Sequence, residues 1–94
     1  MANRIELKDF IVQPCKSRLA FEFIPKHKHE LDLVHAAVKL KEAGVGIEVE
    51  TPFLLMLTAG AHGVSLFKSG KLIVKDTQDK ETARGVAQRI IDQL

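Results

Sequence analysis

The sequence predicts an α+β domain: a curved antiparallel β-sheet with two helices packed on one face, in the order β-β-α-β-β-β-β-α. Three observations carry this. Short apolar runs alternate with polar residues and are separated by turn residues, the pattern of successive hairpins. Two longer stretches, 30–43 and 79–94, place apolar residues at helical spacing. These helical stretches are set apart rather than following every strand, which favours an antiparallel sheet covered on one side.

The first strand is predicted over about residues 4–13, from Ile5, Leu7, Phe10, Ile11 and Val12. Gln13-Pro14-Cys15-Lys16-Ser17 turns the chain, because proline cannot donate into a central ladder. Arg18 to Ile24 alternates, with Leu19, Phe21 and Phe23 inward, and Pro25 ends it. The polar connection Lys26-His27-Lys28-His29 leads to the first helix, 30–43, whose apolar positions are Leu31, Leu33, Val34, Ala37, Val38 and Leu40. Gly44 caps it. Val45 to Glu50 alternates with Val45, Ile47 and Val49 inward, and Thr51-Pro52 marks a bend. Phe53 to Thr58 is a strand apolar on both faces, followed by the turn Ala59–Gly63. Val64 to Asp76 is a hairpin turning at Lys68-Ser69-Gly70. It puts Val64, Leu66, Leu72 and Val74 on one face, and Ser65, Phe67, Lys71, Ile73 and Lys75 on the other. Asp79 caps the last helix, and Glu81 suits its positive N-terminal end.

The 94 residues make one domain, 1–94, and a hydrophobic content of 46% suits a folded core. The net charge of +2 is spread along the chain, with no strongly basic tail. A pI near 8.8 allows a local basic patch. The single cysteine, Cys15, precludes an intramolecular disulfide and fits a reducing, cytoplasmic compartment. The N-terminal residues lack an apolar signal core, and no apolar run approaches the roughly 20 residues that span a bilayer. No membrane partner is expected.

Leu66-Phe67-Lys68-Ser69-Gly70-Lys71-Leu72-Ile73-Val74, followed by Asp79, Glu81, Ala83 and an apolar helix, resembles one repeat of the TATA-binding protein family. In that family a strand ends in Phe, turns through Ser-Gly-Lys and returns as an aliphatic strand, ahead of a capped amphipathic helix. Pro52-Phe53 before an apolar strand matches the family's other phenylalanine position. The resemblance is best over 52–94. It implies a sheet whose open face contacts DNA, with Phe67 and Phe53 at the positions of paired wedges that open a base step. Lys71, Ile73 and Lys75 share the face of Phe67. Lys75 stands where the family carries a small hydroxyl residue, and the connection from Phe53 to Phe67 is shorter than the family's. A single repeat is half of the family's saddle, so a homodimer is expected to restore its symmetry.

The residues also carry other readings. Phe67 and Phe53 suit a core as well as a surface. Alternation lets Glu6, Glu22, Glu48 and Glu50 share the open face with the lysines, which weakens attraction to a phosphate backbone. A partly apolar open sheet serves equally for pairing with another protein or with itself. His27-x-His29, with Glu30 or His35, is a weak candidate for a metal site, and no cofactor is expected. Cys15 has no base near it in sequence and reads as an unreactive thiol. No Ser-His-Asp order, paired-carboxylate motif or glycine-rich nucleotide loop stands out, so a non-enzymatic module is expected.

Overall fold

A computed structural model describes residues 9–14, 19–27 and 30–94. The elements are β1 (Phe10–Pro14), β2 (Ala20–Pro25), α1 (Leu33–Glu42), β3 (Gly46–Glu50), β4 (Leu54–Ala59), β5 (His62–Phe67), β6 (Leu72–Lys75) and α2 (Lys80–Ile91). This is the expected β-β-α-β-β-β-β-α order. The six strands form one sheet in the spatial order β1-β2-β6-β5-β4-β3, with every pairing antiparallel. Helix α2 packs over β2 and β6, and α1 over β3 and β4.

Alternation fills the space beneath the helices. Phe21, Phe23, Leu55, Leu57, Val64, Leu66, Leu72 and Val74 point to the helical layer and are buried. They meet Leu33, Ala36, Ala37 and Leu40 of α1 and Ala83, Ala87, Ile90 and Ile91 of α2 in one continuous core. The alanines keep the helices close to the sheet, and the branched residues between them fill it. Each fully buried Leu or Phe contributes roughly 1.5–3 kcal/mol of transfer free energy.

The helix ends follow from local hydrogen bonding. Helix α1 begins at Leu33 rather than at residue 30; Asp32 is its N-cap, and its Oδ1 accepts from the His35 backbone N–H at 3.2 Å. At the other end Gly44 takes φ +88°, a region L-residues avoid. There the N–H of Val45 reaches the carbonyl of Leu40 and that of Gly44 the carbonyl of Lys41, each at 3.0 Å, a Schellman closure. Val34 and Val38, expected within the buried stripe, are 60% and 50% exposed, because the buried face runs through Leu33, Ala36, Ala37 and Leu40.

Three strand expectations are corrected. Leu19 lies outside β2, exposed and at φ +59°, so only Phe21 and Phe23 carry the inner pattern. Strand β4 starts at Leu54, one residue after Phe53. In β3 the register shifts between Ile47 and Val49, so Ile47 faces Leu57, Val49 pairs with Met56 and Glu50 with Leu55. The bulge turns Val49 outward and places Glu50 on the helical side, where it meets Lys41 of α1 at 3.4 Å.

Candidate nucleic-acid interface on the open sheet face

The face without helices is built from cross-strand rows. One row runs Gln13–Glu22–Ile73–Ser65–Met56–Val49 from edge to edge. A second brings Leu54 opposite Phe67 and Phe67 opposite Lys71. The centre is apolar and half-buried by its own neighbours, and Ser65 sits buried between larger side chains.

Phe67 and Lys71 close the β5–β6 hairpin. The Phe67 N–H donates to the Lys71 carbonyl at 2.9 Å, and the Gly70 N–H to the Phe67 carbonyl at 2.8 Å. Gly70 takes φ +97°, which lets a three-residue connection, Lys68-Ser69-Gly70, return the chain in register. The two side chains therefore leave the same side, and the Lys71 ammonium lies 5.5 Å from the centre of the Phe67 ring. Lys71 also reaches diagonally to Glu22, Nζ to Oε2 at 3.0 Å, and Gln13 Nε2 donates to Glu22 Oε1 at 2.9 Å. These hydrogen bonds, from Gln13 first and Lys71 second, hold the Glu22 carboxyl below the ordinary range.

Ile73 lies on this face one alternation along from Lys71. Lys75 shares the face but sits at the other end of β6, about 13 Å from Lys71 at the usual rise per residue. It borders an open groove of about 340 Å³ with Glu48, Thr58, His62, Gly63 and Asp76. There His62 Nδ1 is 3.2 Å from the Lys75 carbonyl, and the Thr58 hydroxyl donates to Glu48.

Phe53 is placed differently. The β4–β5 connection is two residues, Gly60-Ala61, with Gly60 at φ +62°. Such a turn always pairs an odd-numbered residue with an even one. Phe53 therefore stands across from Lys68, whose N–H donates to the Phe53 carbonyl at 3.0 Å. Its ring lies 5.8 Å from the Lys68 ammonium, which also approaches Glu30, ahead of α1, at 3.7 Å. Phe53 precedes β4 in the turn after β3 and leans on Lys68, whereas Phe67 lies within β5 and leans on Lys71. Phe53 is neither core nor open face: it is a rim residue, 68% exposed, held by Thr51 Oγ1, which accepts from the N–H groups of Phe53 and Leu54.

Of the expected carboxylates, Glu22 and Glu48 stand on the open face and Glu50 does not; Glu6, Cys15 and His29 lie outside the described residues. Among the described residues no three His, Cys, Asp or Glu side chains gather closely enough to hold a metal ion, and no helix is long and apolar enough to cross a membrane. Two polar features escaped the sequence pattern. Buried Thr77 ties the β6–α2 connection to Leu19 and to the Asp79 N–H, and Asp76 takes φ +66° just before it. No family model, curated protein or solved structure matches the chain.

Proposed function

We propose that the chain is a small non-enzymatic binding module, similar to one repeat of the TATA-binding protein, that contacts nucleic acid through its open sheet face. The observation that carries this is the Phe67–Lys71 pair: an aromatic ring and an ammonium held side by side on a face that the helices leave uncovered. A ring offers a base a stacking surface, and a lysine offers a phosphate a counter-charge. Ile73 and Leu54 extend the apolar part, and Lys75 supplies a second cation. Phe53, on the rim beside Lys68, stands apart from this pair. Fluorescence anisotropy with labelled DNA over a salt series tests this. Affinity that falls with salt and drops in Phe67→Ala and Lys71→Ala supports it, provided both variants stay folded. Binding that ignores both substitutions overturns it.

A second reading, pairing with a protein or with a second copy, is favoured by a different observation. Ile11 and Val49 are exposed beside half-buried Ile24, Ile73 and Met56, and Glu22 and Lys71 already satisfy one another. Sedimentation over a concentration series distinguishes it: a dimer insensitive to salt supports pairing, and a monomer throughout counts against a homodimer.

A further inference from the structure

Glu22 stands between the candidate face and any phosphate. Its carboxylate holds the Lys71 ammonium at 3.0 Å, and Gln13 holds the carboxylate at 2.9 Å. The same ammonium lies over the Phe67 ring. One side chain therefore occupies the cation and keeps it above the aromatic surface at once. On the open face of the described strands, Lys71 and Lys75 are balanced by Glu22 and Glu48, two cations against two carboxylates.

A duplex presents the phosphates of both strands as a rigid surface, about one charge per 1.7 Å of axis, and its binding rests on neutralising them. A face with balanced charge does this poorly. A single strand carries half that charge density, and can turn its phosphates to solvent while a base meets the ring. We infer that Glu22 sets the ligand class of this face: by holding Lys71 against Phe67 it disfavours duplex DNA and leaves single-stranded nucleic acid as the ligand. Glu22 is a specificity-determining residue that acts through Lys71. This rests on the nucleic-acid reading of the face.

The test is anisotropy with two labelled probes, an oligothymidylate of about 20 nucleotides and a duplex of equal length, for the native chain, Glu22→Gln and Glu22→Ala. Thermal unfolding of each variant shows that it is folded. The native chain is expected to prefer the single strand. Both substitutions are expected to raise duplex affinity about 3- to 10-fold and to steepen its salt dependence by about one released counterion, a slope that a merely structural role for Glu22 would not move. If the native chain binds the single strand but both variants leave duplex affinity and slope unchanged, or if the native chain prefers duplex, the role of Glu22 is overturned while nucleic-acid binding stands. If no form binds either probe, the nucleic-acid reading fails, and the inference with it.

Discussion

Phe67 faces Leu54 across the β4–β5 pair, so it is one place out of step with Phe53, which precedes β4 and stands opposite Lys68. The turn Gly60-Ala61 causes this, because a two-residue connection joins odd to even positions. The two rings lean on different cations, Phe53 on Lys68 and Phe67 on Lys71. The substitutions should therefore separate. Phe67→Ala is expected to lower nucleic-acid affinity by about 1–3 kcal/mol, the contribution of one aromatic–base stack. Phe53→Ala is expected to leave binding at the open face unchanged and to alter stability by under about 0.5 kcal/mol. Anisotropy and urea denaturation on the same three samples check both.

Leu66 and Leu72 face each other on the helical side of the hairpin and are fully buried. Truncating either leaves a cavity under α2 and its neighbours. Leu66→Ala and Leu72→Ala should each cost about 2–5 kcal/mol. The outward Val49→Ala, on the bulged edge strand, should cost under about 1 kcal/mol. Urea midpoints measured at constant m-value check the contrast.

The element order and the β5–β6 hairpin were legible because their signals are local. Alternation from Val64 to Val74, the turn residues before Lys71 and the cap at Asp79 each lie within a few neighbouring residues. The open-face set of Phe67, Lys71, Ile73 and Lys75 followed from that alternation. The position of Phe53 relative to Phe67 did not, because it depends on the length of the turn between β4 and β5. Ala59–Gly63 contains two glycines and two alanines, which fit a two-residue or a longer connection equally well. Val49 and Glu50 were misplaced for a related reason. A bulge shifts register by one, and alternation shows no trace of it until the partner strand is known. The Glu22–Lys71 contact joins residues from β2 and from the hairpin, paired only in the folded sheet order.

Gly70 closes the hairpin at φ +97°. A side chain there is strained, so Gly70→Ala should cost about 1–2 kcal/mol. It should also loosen the Phe67–Lys71 pairing, because the Gly70 N–H bonds the Phe67 carbonyl. Gly85, in helix α2 with nothing within 4 Å of an added Cβ, gives the contrasting case: Gly85→Ala should stabilise by roughly 0.5–1 kcal/mol. Thermal or urea unfolding of the two variants checks the opposite signs.

Glu22 and Asp79 both titrate below their ordinary ranges. Gln13, then Lys71, hydrogen-bonds the first, and the Thr82 hydroxyl, at 2.6 Å, leads the causes for the second. The folded chain therefore binds fewer protons in acid than the unfolded one. The stability these groups contribute is fully present above their unfolded values, about 4.3 and 3.9, and is lost as pH falls through the lower folded values. Glu22→Gln and Asp79→Asn should each flatten the acid limb of a stability–pH curve without changing its shape near neutrality. Chemical denaturation at a series of pH values checks this.

The most direct measurement is a backbone amide NMR titration with a single-stranded oligonucleotide. Binding at the open face should move the signals of Phe67, Lys71, Ile73 and Glu22 first, with Lys75 and Leu54 following, and leave α1 and α2 in place. Shifts confined to the exposed cations of the helices, Lys80, Arg84 and Arg89, or no shifts at saturating oligonucleotide, would contradict the assignment of the open face.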